Sequence, residues 1–392
     1  MIKIVKRSSI LILIFIARTG IEAMINQKAV DLLLKKAASS HTDEMVVIHN
    51  GKKICEYYSN DPNVLIKTMS VTKSIVSLGF GILVTQKKLD TIDKTIYTWY
   101  PEWKQGKKQL VMVRNLLNHT SGIQDQADFH IEIYQAPDFV KLAIAADLLT
   151  EPGANFSYSN KASNLLSGIF EQIAKQPMDI FLANNLFKPL GITNYTWDHD
   201  KAGNVYGLGG LALNVQDLSK IGQLVIDKGA WQGKQIIDPQ WIAMSLDQSQ
   251  EHNPLYGLMW WRIPENISFV IDDTQLKKLK EAKVDDLFIE LVASMKGNYH
   301  TEMDYNKTLE SKFGKDWEKV LKEKVPGFKT LLARAIYGKM IGYCAEGWLG
   351  QYLVIFPEKN LIGVRLIKER PNYNKKTDWF KEFQAMVNDI VQ

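Results

Sequence analysis

Two short motifs contain residues that could together perform nucleophilic catalysis. Ser70 and Lys73 form the only Ser-x-x-Lys pattern in the chain. If they begin a helix, both side chains lie on one face, with the Lys73 amine beside the Ser70 hydroxyl. Serine attacks well only when a base takes its proton, and the positive end of a helix favours the resulting alkoxide. The alternative is a helix cap followed by a surface lysine, because this spacing is common in lysine-rich chains.

The tripeptide Tyr-Ser-Asn occurs twice, at residues 58–60 and 158–160. The first copy ends a strand-like run and enters a turn, so a structural role explains it fully. The second copy follows a Pro-Gly turn and directly precedes a helical pattern, which would let Tyr158 point into a cleft. A phenol has an ordinary pKa of about 10, and a neighbouring ammonium would lower that pKa. We therefore predict that Tyr158 lies beside Lys73, with Asn160 bonding to Lys73 or to a substrate carbonyl.

The elements that must position these residues follow from hydrophobic periodicity and turn signals. We predict an amphipathic helix over 26–39, a hairpin around Asn50-Gly51, a buried helix starting near Ser70 and another ending near Pro177. Two late strands are joined by a turn at 357–360, and a last helix covers 377–391. Helices dominate the middle and strands both ends. The pattern predicts an α+β fold with an antiparallel sheet built from the two termini.

The segment from 265 to 335 differs in composition, since acidic and basic side chains are equally frequent in it. This mixed charge indicates solvated helices in an insertion on the surface of the main fold. The alternative is a cap that binds a partner or covers the site. The whole chain of 392 residues is long enough for one large domain or two closely packed ones.

Charge and composition exclude several classes of function. The formal net charge is +5, but much of it lies in the first residues, and no basic stripe with interleaved aromatics follows. We therefore expect no nucleic-acid partner. No His or Cys cluster has the spacing of metal ligands, so we expect no metal and no cofactor.

The N-terminus reads MIKIVKRSSILILIFIARTGIEAM, a positive start followed by a short aliphatic run. The run is too short to span a bilayer but suits a signal peptide covering 1–23, with export to the periplasm or medium and a mature domain over 24–392. A buried first strand or an uncleaved anchor is the alternative, and any membrane association would involve this segment alone. Cys55 and Cys344 are the only cysteines, and we favour two buried free thiols over one disulfide.

The order of these motifs resembles a known family. The blocks that carry the resemblance are SVTK, VRNLLNHTSGI, PGANFSYSN, LFKPLGITNYTW, GLGGLALNVQDLSKIGQLV and GWLGQYLVIFPEKNLIGV. Together they resemble the serine β-lactamase and penicillin-binding-protein superfamily, in its class C, esterase and 6-aminohexanoate-dimer hydrolase branch. The resemblance implies an antiparallel sheet flanked by helices, a helical subdomain and a catalytic cleft between them.

The resemblance also implies roles for individual residues. Ser70 corresponds to the acylated nucleophile, Lys73 to its partner on the helix, and Tyr158 to the general base, kept partly ionised by Lys73. Asn160 corresponds to the second polar residue of the tyrosine motif. An oxyanion hole would use the backbone N–H groups of Ser70 and of Trp348, which follows Gly347 on the late strand.

The late strand departs from the penicillin-recognising pattern. Those proteins carry Lys or His, then Ser or Thr, then Gly, where this chain has Ala345, Glu346 and Gly347. An acid in place of the cation should disfavour anionic β-lactams. The form A-x-G-x-x-G-Q-Y is similar to esterases and to amidases of linear amide oligomers. We expect Glu346 to be an outward-facing, solvated acid, although it could instead receive a substrate ammonium.

Taken together, the sequence predicts a serine hydrolase that cleaves a small ester or amide through an acyl-enzyme. His119, in the sequence NHTSG, is expected to be structural, because Lys73 and Tyr158 already supply a base. The alternatives are a β-lactamase or D-Ala-D-Ala carboxypeptidase with the same catalytic residues, and a non-catalytic binding protein on the same fold.

Overall fold

The computed structural model describes residues 24–392, except 61, 63, 126–131, 326 and 328–330. The predicted signal peptide, residues 1–23, lies outside the described residues. Within the described part, no helix is long and apolar enough to cross a membrane.

A six-stranded sheet, built from both ends of the chain, forms the centre of the molecule. Its order is β2-β1-β14-β13-β12-β8, and all neighbouring strands are antiparallel. The strands are β1 (Glu44–His49), β2 (Lys52–Tyr58), β8 (Trp261–Pro264), β12 (Met340–Gly347), β13 (Gln351–Phe356) and β14 (Leu361–Leu366). The predicted α+β class with its antiparallel sheet is confirmed. The Asn50-Gly51 hairpin is also confirmed, because both residues have positive φ and join β1 to β2.

Alternation along the strands buries both faces of this sheet. In β13, Leu353 and Ile355 contact one core while Val354 and Phe356 contact the other. Helices therefore cover each face. The helices before the charged segment are α1 (Gln27–Ser39), α2 (Val71–Thr85), α3 (Val113–Leu117), α4 (Phe139–Ala145), α5 (Asn160–Ala174), α6 (Met178–Leu182), α7 (Val215–Ile226) and α8 (Pro239–Leu246).

The helices divide between the two faces of the sheet. Helices α2 and α7 pack on the face that contacts the helical subdomain, and α1 packs on the opposite face. Short strand pairs complete this part of the fold: β3 (Ile66–Lys67), β4 (Thr196–Trp197), β5 (Leu211–Leu213), β6 (Ala230–Trp231) and β7 (Lys234–Gln235). Strand β3 pairs with β5 directly before α2, so it fixes the start of that helix.

The charged segment forms a small unit with its own core. It contains helices as predicted, but also a three-stranded sheet that the sequence analysis missed. Its elements are β9 (Ile267–Ile271), α9 (Asp273–Glu281), α10 (Asp286–Ala293), β10 (Gly297–Tyr299), α11 (Glu302–Phe313), α12 (Trp317–Lys324) and β11 (Arg334–Tyr337). The unit joins the main sheet between the end of β8 and the start of β12.

The predicted last helix over 377–391 is wrong in its continuity. The structure has two short helices there, α13 (Lys375–Asp378) and α14 (Phe383–Asn388). Phe380 interrupts them with a left-handed φ of 52°, and it is buried against Phe383 at a ring distance of 5.4 Å. Core packing of the aromatic ring therefore overrides helix continuation. Both cysteines are buried and unpaired.

Candidate active site

Ser70 lies at the start of α2, as predicted, in a tightly held turn. Met69, directly before it, has a φ of 51°, which is strained for a residue with a side chain. Thr68 fixes the turn by donating from both its backbone and its hydroxyl to the Leu211 carbonyl, at 2.8 and 2.9 Å. The Ser70 side chain does not cap the helix. Its hydroxyl therefore points to other partners.

The Lys73 amine is one of those partners. Its Nζ donates to Ser70 Oγ at 2.9 Å and to the Leu208 carbonyl at 2.7 Å. The side chain is 1% exposed, and none of the ion pairs among the described residues includes it. Burial lowers the pKa of Lys73 from 10.5 to about 7, against a smaller opposing effect of the Asp125 charge. Near neutral pH, Lys73 is therefore present in both the amine and the ammonium form.

The Leu208 carbonyl reaches Lys73 because its loop is fixed against α5. The Leu208 N–H donates to Asn164 Oδ1 at 3.0 Å. A Cβ at Gly207 would lie 2.2 Å from the Ser163 carbonyl oxygen, so only glycine allows this approach. The sequence analysis named this loop only within a block that carries the family resemblance and assigned it no contact with Lys73.

The second Tyr-Ser-Asn copy differs from the first as predicted. Ser159 caps α5 by accepting from the Ala162 N–H at 3.0 Å, which fixes Tyr158 at the helix entrance. The Lys73 Nζ lies 5.0 Å from the centre of the Tyr158 ring, and the Tyr158 phenol is hydrogen-bonded with the Ser70 side chain. Ser70, Lys73 and Tyr158 therefore converge on one point.

The predicted ionisation of Tyr158 is wrong. Burial of the phenol raises the pKa of Tyr158 above its ordinary value, the charge of Glu346 raises it further, and only the Ser70 hydrogen bond lowers it. Lys73 cannot supply the lowering that we expected, because burial removes part of its own charge. The pKa directions place the free base on Lys73 and keep Tyr158 as a neutral phenol.

His119 supports the loop that carries Tyr158. It is fully buried, its Nδ1 accepts from the Ser159 N–H at 3.2 Å, and its ring centre lies 4.4 Å from that of Tyr158. Burial and the Lys73 charge hold the pKa of His119 well below its ordinary range, so the ring is neutral. These contacts agree with the predicted structural role.

Asn160 lies at the first position of α5 and lines the cavity at Ser70. Its backbone N–H and that of Lys161 donate to Asp125 Oδ2, which places a carboxylate at the positive end of α5. The Lys73 bonds described above go to Ser70 and Leu208, so the predicted contact with Asn160 is not among the described hydrogen bonds. Asp125 was not predicted.

The end of β12 lies directly against the Ser70 turn. A Cβ on Gly347 would lie 2.6 Å from the Thr68 carbonyl oxygen and 3.0 Å from Met69 Cβ. Glycine is therefore required for the strand to approach this closely. Trp348 follows at the start of a tight turn and lines the same cavity as Ser70, so its backbone is near the predicted oxyanion position.

Two cavities meet at Ser70 and Tyr158. The larger has a volume of about 820 Å³ and extends past Asn160, Asp198 and Leu208. The smaller, of about 270 Å³, is lined by Ser70, Tyr158, Trp261, Glu346, Gly347, Trp348 and Trp379. No described residue of 265–335 lines either cavity, so the structure gives no support for the segment as a cap over Ser70.

The prediction that Glu346 is an outward-facing, solvated acid is wrong. Glu346 is partly buried and lines the smaller cavity with Ser70 and Tyr158. The Tyr352 hydroxyl contacts its Oε1 at 3.5 Å. Burial raises the pKa of Glu346, and hydrogen bonds from Tyr352 and Trp379 partly oppose this. Glu346 lies on the same face of β12 as buried Cys344, and Tyr352 and Trp379 on that face shield it from solvent.

The described residues contain no group of three or more His, Cys, Asp or Glu side chains that could hold a metal ion. The convergent groups are instead a hydroxyl, an amine and a phenol, which suit acyl transfer.

A sequence model of the family named Beta-lactamase matches residues 34–260, more than half of the chain. The chain belongs to the beta-lactamase family. Ser70, Lys73 and Tyr158 all lie inside the matched range.

The relatives within this family are distant. The chain is 25% identical over 239 residues to "Putative penicillin-binding protein PbpX" of Bacillus subtilis (strain 168), covering 52% of this chain and 58% of that protein. It is 28% identical over 149 residues to "Esterase EstB" of Burkholderia gladioli, covering 33% of this chain and 37% of that protein. The chain thus spans less than two thirds of the length of these curated relatives.

The fold is shared with solved structures over most of the chain. "Putative 6-aminohexanoate-dimer hydrolase from Bacillus anthracis" superposes with a TM-score of 0.62 at 17% identity, covering 91% of this chain and 80% of that one. At this identity the likeness concerns the fold alone. It agrees with the resemblance inferred from the sequence blocks.

Proposed function

We propose that this member of the beta-lactamase family is a serine hydrolase that cleaves esters or amides through an acyl-enzyme. Ser70 is the nucleophile, and neutral Lys73 is the base that removes its proton. The observation that carries the proposal is the 2.9 Å contact between Lys73 Nζ and Ser70 Oγ, made by an amine whose pKa is about 7. A base of this pKa suits proton transfer near neutral pH.

Acylation then proceeds in two stages. The Ser70 oxygen bonds to the substrate carbonyl carbon while its proton passes to Lys73. The bond to the leaving alcohol or amine breaks as the neutral Tyr158 phenol gives that group a proton. Lys73 returns its proton to Tyr158, so the charges balance when the acyl-enzyme is complete.

Deacylation repeats the same transfers with water. Water loses a proton to Lys73 and attacks the acyl carbon, and Ser70 recovers its proton as it leaves. The backbone N–H groups of Ser70 and Trp348 hold the oxyanion in both stages. Two such donors aimed at developing charge lower the barrier without reorganisation. The larger cavity accommodates the rest of a small substrate.

The experiment compares the native chain with Ser70→Ala on a panel of short p-nitrophenyl esters, linear amides and a cephalosporin. We expect ester or amide hydrolysis in the native chain and its loss in the variant, which should still fold cooperatively because the hydroxyl does not cap α2. Hydrolysis retained in Ser70→Ala would contradict the assignment. A stable adduct with labelled penicillin would favour the β-lactamase or carboxypeptidase alternative. No reaction with a fluorophosphonate would favour a binding protein.

A further inference from the structure

The smaller cavity, here called the aromatic groove, has an unusual lining. It consists of Ser70, Tyr158, Trp261, Glu346, Gly347, Trp348 and Trp379. Four of these seven residues are aromatic, one is a carboxylate, and none carries a positive charge. Such a lining is chemically complementary to a cation that also has apolar surface.

Two rings of the aromatic groove already contact positive groups of the protein itself. The Lys375 Nζ lies 4.6 Å from the centre of the Trp379 ring, and the Lys73 Nζ lies 5.0 Å from that of Tyr158. Trp261 stacks parallel to Tyr158 at a ring distance of 6.2 Å, which keeps both rings in place. These contacts show cation–π attraction at rings of the groove, and Trp348, another ring of its lining, is 43% exposed to an incoming ammonium.

Glu346 supplies the counter-charge in the groove. It lies one residue before Gly347, which packs against the Ser70 turn, so its carboxylate and the nucleophile share the groove. The charge of Lys375 acts on Glu346, but Lys375 is exposed and does not line the groove. No residue that lines the groove with Glu346 is a cation, so this partly buried carboxylate gains from a substrate ammonium.

The neighbouring cavity has charges of the same sign. Among the described residues, its lining includes the carboxylates of Asp125, Asp198 and Glu369 and one lysine, Lys67. Lys67 is paired with Asp198 at 2.7 Å. The cleft therefore presents a negative field although the whole chain has a net charge of +5, and this field attracts cations and repels anions. Lys73, beneath Ser70, is the partly charged exception.

We propose that the aromatic groove binds an alkylammonium group of the substrate, with Glu346 as the specificity-determining residue. The substrate class is an ester or amide that carries a cationic amine a few bonds from the carbonyl. That such a substrate is hydrolysed rests on the function proposed above, whereas binding of the cation in the groove does not.

The binding test uses the Ser70→Ala chain, so that no turnover interferes. Calorimetric titration compares choline with its neutral isostere, in which a tert-butyl group replaces the trimethylammonium group. We expect choline to bind at least about tenfold more tightly. Adding Glu346→Gln should bring the two affinities within about twofold. Trp348→Leu keeps an apolar side chain but removes the aromatic face, and it should reduce the preference for choline.

A matched control removes a carboxylate elsewhere. Glu358 is 69% exposed and paired with Lys339 at 2.9 Å, at the far end of β13 from Ser70. Glu358→Gln should retain the full preference for choline, which separates a local contact from a change in net charge. Thermal unfolding of each variant shows that the fold is intact.

The kinetic test uses acetylcholine against its tert-butyl isostere, and a p-nitrophenyl trimethylammonio-alkanoate against the matching neutral ester. A higher kcat/KM for acetylcholine than for its isostere would place the leaving group in the groove. A higher kcat/KM for the cationic p-nitrophenyl ester than for its neutral partner would place the acyl group there. Equal binding of choline and its isostere, or a preference that survives Glu346→Gln, would overturn the proposal. Preferential choline binding without hydrolysis of any ester or amide would overturn the proposed function and leave the groove assignment standing.

Discussion

Replacing Lys73 by methionine gives the sharpest test of how protons are placed in the site. Methionine keeps the length and apolar stem of the side chain but cannot ionise or donate. The native side chain is 1% exposed and its pKa falls from 10.5 to about 7. Lys73→Met should therefore change two separate quantities, the rate of hydrolysis and the pH dependence of the free energy of unfolding.

The magnitude follows from linkage between protonation and folding. A fall in pKa from 10.5 to about 7 means that a charged Lys73 destabilises the native state by about 5 kcal/mol in acid. Between these two pKa values the unfolded chain binds one more proton than the folded chain, so stability rises with pH in this window. This destabilisation of the native state is about 4 kcal/mol at pH 7 and about 2 kcal/mol at pH 9.

Lys73→Met removes the destabilisation caused by the buried lysine at every pH. Its free energy of unfolding relative to the native chain should therefore be highest in acid and fall by about 2 kcal/mol from pH 7 to pH 9. The variant also leaves the Leu208 carbonyl without its donor, which costs about 1 to 3 kcal/mol independently of pH. The pH dependence is thus a cleaner signal than the stability at any single pH.

The assay is urea unfolding of both chains at several pH values between 6 and about 9.5, followed by tryptophan fluorescence. Ser70→Ala is the control, because it retains the buried lysine and should keep the native pH dependence. Ester hydrolysis by Lys73→Met should fall by at least about a thousandfold, since it lacks the base. A stability difference that stays constant from pH 6 to 9.5 would refute the reasoning, because it would mean that Lys73 keeps its charge when buried.

Two further predictions concern the phenol and the strand beside Ser70. Tyr158→Phe should lower kcat/KM by about a hundredfold for an amide but much less for a p-nitrophenyl ester, whose leaving group needs no proton; equal losses would contradict its role as proton donor. Gly347→Ala should destabilise the fold by about 1 to 3 kcal/mol in urea unfolding, because the added methyl would lie 2.6 Å from the Thr68 oxygen. Gly209→Ala, where the nearest atom is 3.6 Å away, should cost less, and equal costs would contradict the packing argument.

Local geometry explains why the sequence predicted part of this site. The spacing of Ser70 and Lys73 needs only the first turn of a helix to bring the two side chains together. Ser159 caps α5 by accepting from the N–H of Ala162, only three residues further on. Such a local contact allows the position of the second Tyr-Ser-Asn copy at a helix start to be predicted from the neighbouring residues alone. The hairpin at Asn50 followed from the same kind of short-range rule.

The rest of the site depends on contacts between distant parts of the chain. The Leu208 carbonyl reaches Lys73 only because Asn164 and Gly207 fix its loop, and nothing in the loop sequence states that contact. The pKa directions of Lys73 and Tyr158 depend on burial, which the complete fold decides. For this reason the sequence placed the two groups together but predicted the wrong direction for the pKa of Tyr158.

Glu346 and the charged segment show the same limit. Whether Glu346 is solvated or shielded depends on the packing of Tyr352 and of Trp379, which lies far along the chain, against it. Strands β9, β10 and β11 are short and lie among charged helices, so their periodicity is too brief to identify. In both cases the deciding contacts are between elements far apart in sequence.

The most direct test of the central claim is to trap the acyl group on the protein. The native chain is mixed with excess p-nitrophenyl ester, quenched in acid during the first turnover, digested and examined by mass spectrometry. We expect an added acyl mass on the peptide that contains Ser70, and on no peptide of Ser70→Ala. Steady hydrolysis with the acyl mass on another residue, or with an initial burst and no acylated peptide, would contradict it.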